Sequence, residues 1–139
     1  MRQYKGFNVC DKGKVTVIVN GVKYVGKWVF GFYVYEPQGI KEHQIFTGEY
    51  DKQLDKITFE VIPETVSQEI GRKDISGKPI FEGNKCDVTL NDGTIEKFVV
   101  TYIPKKAGNF FVDENGATWQ ITDINIKITG TIFDLEEAE

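Results

Sequence analysis

A chain of 139 residues with 40 % hydrophobic and 27 % charged side chains suffices for one domain or two small lobes, and is too apolar for a disordered polypeptide. No apolar run approaches the ~20 residues of a membrane helix, and Met1 to Lys5 has no apolar stretch behind it long enough for a secretory signal. Residues 1–70 balance nine basic against nine acidic side chains, and Asp134, Glu136, Glu137 and Glu139 put much of the net charge of −4 on a short tail, so the near-neutral body exerts little pull on phosphates. The tail reads as a solvated end.

In chain order the dominant period is two, the signature of strands. Val15, Val17 and Val19 alternate with Thr16 and Ile18, and Asn20-Gly21 is a short-hairpin dipeptide. Trp28, Phe30, Phe32 and Val34 then share one face of a strand, with Val29, Tyr33 and Tyr35 on the other. Ile57, Phe59 and Val61 alternate with Lys56, Thr58 and Glu60, giving a strand with one wet face. Pro63 to Glu69 is the one helical candidate, with Pro63 at a first helical position and Gly71 as a stop. Gly71 to Gly83, rich in glycine and charge, reads as the lobe boundary.

Beyond it, Cys86, Val88 and Leu90 alternate, Asn91-Asp92-Gly93 turns, and Ile95 to Tyr102 forms another strand. Asn115-Gly116 is a further hairpin turn; Ala117, Trp119 and Ile121 alternate; and Ile124, Ile126 and Ile128 lead to a bulge or bend at Gly130. The expectation is all-β: an N-terminal lobe over residues 1–66 and an SH3-like small barrel over 67–139, with Trp28, Phe30, Phe32, Phe59, Val88, Phe98, Trp119 and Ile128 largely buried.

Candidate chemistry is sparse. His43 is the sole histidine, in the polar stretch Lys41–Gln44, and reads as solvated; no cysteine cluster supports zinc. Asp113 to Gly116 reads as a turn rather than the start of a calcium loop. Ser67 and Ser76 sit in no nucleophile motif, and neither Cys10 nor Cys86 has a second histidine to recruit. The expectation is therefore no enzyme, with no catalytic, cofactor-binding or metal residues, no cofactor, and reduced thiols in a cytoplasm. Surplus rings and strand edges point to a homo-oligomer and to protein partners, without a membrane role. Tyr33, Tyr35, Phe110 and Phe111 read first as core rings, and Arg72, Lys73, Lys78, Lys105 and Lys106 as ordinary turn residues. The alternative, a single-stranded nucleic-acid binder using those rings and that basic groove, stays open.

Pro63 through Asn84, Gly26 through Val34, and Ile128 through Asp134 together resemble the YopX family of phage and prophage proteins. Arg72 stands where the family usually has Leu, and Asn84 where it usually has Asp. The resemblance implies a small, mostly β accessory protein of a bacterial virus or prophage, in the cytoplasm of its host, with no established catalytic residues to carry across. Physically the central motif reads as architecture: Ile80 and Phe81 enter the second lobe, Gly83 takes a positive φ, and Cys86 to Leu90 begins the next strand.

Overall fold

The computed structural model describes residues 3–121 and 125–134, and among them the fold is all-β with one short 3₁₀ turn. The described residues group into two compact units, Met1–Gln68 with Phe133–Glu139, and Glu69–Ile132. Phe133 and Asp134 thus belong with the first unit, and not with the 67–139 segment in which the sequence places them.

The first unit holds β1 (Tyr4–Val9), β2 (Val15–Val19), β3 (Val22–Tyr35), β4 (His43–Tyr50), β5 (Lys56–Glu60) and the start of β6 (Ile62–Lys73), in the antiparallel order β5-β4-β3-β1-β6. β3 serves three partners along its length: β2 over Val22–Gly26, β1 over Gly26–Gly31, and β4 over Phe32–Tyr35. Asn20 and Gly21 form the β2–β3 turn, both at positive φ. β5 and β6 meet at buried Val61, whose N–H donates to the His43 carbonyl at 3.0 Å. This bent segment pairs with both β4 and β1, and the sheet folds around Val29, Ile45 and Val61, with Tyr4, Tyr33, Phe59 and Val66 beside them. A second cluster joins Phe7, Val17 and Val19 to Tyr24, Trp28, Ile62 and Phe133.

The helix expected over Pro63–Glu69 is instead strand β6. Ile62, Thr65, Val66 and Ile70 are β-branched and suit a pleated surface, and pairing with β1 supplies the ladder bonds that an isolated turn of helix lacks. Buried Thr65 makes the pairing possible: its hydroxyl accepts the Phe7 N–H at 2.9 Å and donates to the Ile62 carbonyl at 2.6 Å, satisfying backbone groups where the register shifts.

The second unit pairs the end of β6 with β7 (Pro79–Phe81) and builds a five-stranded antiparallel sheet from β8 (Asn84–Thr89), β9 (Ile95–Ile103), β10 (Gly108–Val112), β11 (Thr118–Trp119) and β12 (Asn125–Thr131), in the order β11-β10-β9-β8-β12. Ile70, Ile80, Cys86, Val88, Phe98, Val100, Phe111 and Ile126 form its core, so the Cys86/Val88 alternation is real. The bend expected at Gly130 is a register shift between Ile128 and Gly130. The sheet is open: β11 and β12 are opposite edges, and no ladder joins them among the described residues, so it does not close into a barrel. No helix of the described residues is long and apolar enough to cross a membrane.

Candidate functional site

The outstanding surface feature is an aromatic face on β3 and β4. The register sets Phe32 opposite Phe46 and Tyr33 opposite Ile45, and alternation sends these pairs to opposite sides of the sheet. Tyr33 and Ile45 join the core, while Phe30 and Phe32 remain 47 % and 39 % exposed. Phe32 and Phe46 lie 6.1 Å apart, and Tyr50, 55 % exposed, meets Phe46 edge-on at 5.6 Å. Lys56 holds its Nζ 5.2 Å above the Phe46 ring. Gly31 permits this arrangement, because a Cβ there would run into the Phe46 carbonyl oxygen.

Phe30 and Phe32 were expected inside and are not. From Trp28 to Tyr35, β3 is apolar on both faces, and the cluster that covers Phe7 and Trp28 does not extend to Phe30 and Phe32. Trp119 is likewise 55 % exposed. It lies on the two-residue edge strand β11, edge-on to Phe98 at 6.4 Å, with its indole N–H donating to Asp113 Oδ2 at 3.1 Å. Phe59 and Ile128 are half-buried, as is Trp28, while Val88 and Phe98 are fully within the core.

His43 is not simply solvated. It is half-buried, its Nδ1 lies 2.6 Å from the Tyr33 hydroxyl, its ring is parallel to Tyr33, and Tyr35 lies 4.9 Å away. Tyr35 donates to Glu42 Oε1 at 3.2 Å, and that bond holds its pKa above the ordinary phenol value. Burial, then the Glu42 charge, does the same for Tyr33. Both hydroxyls therefore keep their protons at neutral pH and are poor nucleophiles.

Within the second unit, the basic residues proposed for a nucleic-acid groove fall into two separate groups. Phe111 is core, and Phe110 lies beneath Lys106, whose Nζ is 5.0 Å from the ring and donates to Thr118 Oγ1 at 2.8 Å. Arg72, Lys73 and Lys78 flank the β6–β7 turn, which bonds to β12 at Ile126 and Ile128. Ile128 pairs with Cys86 and Cys86 with Phe98, so Lys105 and Lys106 lie beyond a further five strand residues, or roughly 17 Å. Both cysteines are free thiols, and burial, with Asp74 and Asp87 nearby, pushes Cys86 up to about 12, where it is inert. Among the described residues, no three of His, Cys, Asp and Glu gather to hold a metal.

The central sequence motif is architectural in this chain. Asp74 organises the β6–β7 turn through its carboxylate. Asn84, 3 % exposed, accepts the Phe81 N–H at 2.7 Å and donates its amide N–H to the Gly130 carbonyl at 3.4 Å. Gly83, at φ +82°, donates to the Val100 carbonyl and accepts from Ile132. An aspartate at 84 keeps the first Asn84 bond and loses the donor for the second. Asn84→Asp is therefore expected to lower stability at pH 7 by about 1–3 kcal/mol, with part of the loss recovered near pH 4 as the buried acid takes up a proton; urea melts at both pH values check this.

No curated protein and no solved structure matches the chain. The family model described as YopX protein matches residues 22–134, from the first residue of β3 through the last described residue of the C-terminal segment. The aromatic face, the Asp74 turn and the Asn84 bridge all fall within that span, and the chain belongs to the YopX protein family.

Proposed function

We infer that this chain is a non-enzymatic, self-associating interaction module, encoded by a phage or prophage and working in the bacterial cytoplasm. The cluster of Phe32, Phe46 and Tyr50 on β3 and β4 carries the reading. Half-exposed rings on neighbouring strands form a contiguous apolar surface of the kind that marks a protein interface. The YopX membership and the resemblance that first suggested it support the phage assignment. The second unit is the SH3-like element of this reading: a four-strand meander with the last strand beside the first has the strand order of such small barrels.

Light scattering from 1 to 100 µM tests the reading. A dimer or larger species is expected, and Phe32→Ser is expected to weaken it at least tenfold, since each copy then withdraws half a phenyl ring from the contact. A monomer at 100 µM removes the reading. Exposed rings beside Lys56 are also what a single-strand stacking platform presents, so labelled single-stranded DNA and RNA belong in the same series. Micromolar binding with a steep salt slope at ~150 mM would favour that alternative over self-association.

A further inference from the structure

The last described residues lie against the outer edge of β2. Phe133 accepts the Ile18 N–H at 2.8 Å, and Asp134 bridges to Val17 in antiparallel fashion. The Phe133 ring packs on Trp28 at 6.2 Å and against the Phe7, Val17 and Val19 cluster, which anchors the chain there. The antiparallel sense of the bridge points the chain from Asp134 toward the start of β2. Ahead lie half-buried Thr16, then Val15, Lys14 and Lys12, all three exposed. Alternate residues of a strand turn their backbone groups to the same side, so the Thr16 N–H and C=O face this edge as those of Ile18 do. A strand edge of this kind invites unwanted pairing unless something covers it.

We propose that the acidic run Leu135-Glu136-Glu137-Ala138-Glu139 continues the Asp134 pairing and straps the β2 edge of its own chain. The Val17–Asp134 bridge sets the register: position 135 falls opposite Thr16, 136 opposite Val15 and 137 opposite Lys14. Leu135 then meets the outward N–H and C=O of Thr16, and Glu137 faces Lys14, with Glu139 two positions on toward Lys12. Thr16 pairs on its other side with Val25, which is 46 % exposed, and Leu135 falls on that same face of the sheet. Exposed ion pairs contribute little alone, so the backbone bonds at Thr16 and the cover over Val25 hold the strap while the charges select its register. The strap makes no use of the aromatic face on β3 and β4, and stands or falls independently of self-association.

Amide exchange on the full-length chain, followed by NMR, tests the strap. Ile18, already bonded to Phe133, is the internal reference for an intact fold. The Thr16 amide is expected to exchange about tenfold more slowly in the parent than in a chain ending at Asp134. Lys14→Glu and Glu137→Lys each set like charges opposite one another and are expected to reduce that protection about threefold, while the double variant restores it. Equal Thr16 rates in the parent and the shortened chain, or a double variant no better than the singles, overturns the proposal. Cross-linking gives a second readout that needs no comparison of stabilities. Val15→Cys/Glu136→Cys, carrying Cys10→Ser, is expected to close into a monomeric disulfide about tenfold faster than the out-of-register pair Val15→Cys/Ala138→Cys. Equal rates of closure sink the strap.

Discussion

Asp74→Ala is expected to lower stability by about 3–5 kcal/mol, a large part of the total for a domain of this size, and to leave the second unit partly unfolded at 37 °C. Asp74 is buried, and its Oδ1 accepts from the Ser76 N–H at 2.9 Å, the Ser76 hydroxyl at 2.8 Å and the Lys78 N–H at 2.9 Å. Its Oδ2 accepts the Ile128 N–H at 3.2 Å, tying the β6–β7 turn to β12. Truncation leaves three backbone donors without that acceptor, at roughly 1–1.5 kcal/mol each. Burial pushes the Asp74 pKa up, but the bonds from Lys78, Ile128 and Ser76 outweigh it and hold the acid below the usual carboxylate range. A carboxylate depressed in the fold contributes stability that is complete above its unfolded pKa and lost as pH falls through the folded one. Asp74→Asn should therefore lose less than Asp74→Ala at pH 7, about 1–3 kcal/mol from the clash of its amide with one donor, and its deficit should narrow below pH 4. Chemical denaturation of the three proteins at pH 7 and pH 3 decides the matter; a deficit under 1 kcal/mol for Asp74→Ala would show that the turn holds without its carboxylate.

Why the sequence conveys the strands and misplaces several rings follows from these same contacts. Alternation at Ile57–Val61 and Cys86–Val88 reports a face because each run has one apolar and one polar side, and turns such as Asn20-Gly21 carry their own φ requirement. From Trp28 to Tyr35, β3 has no polar side to exclude. Phe30, Phe32, Val29 and Tyr33 fit either orientation equally, and only the meeting of β4, β5 and Val61 on the odd-numbered side decides between them. Pro63 to Glu69 misleads for the reverse reason: a local helix-start pattern is overridden by a partner, β1, distant in sequence. The Asp74 and Asn84 positions are legible as a motif but not as chemistry, because their partners Ile128 and Gly130 lie more than 40 residues away. The docking of Phe133 onto Ile18 has no local signal; a short apolar-acidic run near a chain end reads as a solvated tail.

Lys5→Met is expected to raise stability at pH 7 by about 1–3 kcal/mol, and that gain is expected to shrink as the pH rises. Lys5 is 5 % exposed, and burial lowers its pKa to about 8, against a smaller upward pull from Asp134. At pH 7 the folded chain thus carries a buried ammonium, for which the Trp28 face and Asp134 compensate only in part. Methionine retains a similar apolar stem and brings no charge to bury. Between about pH 8 and 10.5 the unfolded lysine holds a proton that the folded one has shed, so the unfolded state binds more protons and the parent gains stability as the pH increases. From pH 7 to 9.5 this amounts to about 2 kcal/mol, by which the advantage of Lys5→Met should contract. Cys86 works in the opposite direction above pH 9, where the unfolded thiol ionises and the folded one, raised to about 12, does not. Because Cys86 is common to both proteins, its contribution cancels in their difference, and urea melts of the pair at pH 7 and 9.5 isolate Lys5. A gap independent of pH would mean that Lys5 reaches solvent and is no buried cation. A gap that narrows by this amount would show that Lys5 is a buried cation in the folded chain, held there at a cost in stability that the Trp28 face and Asp134 offset only in part.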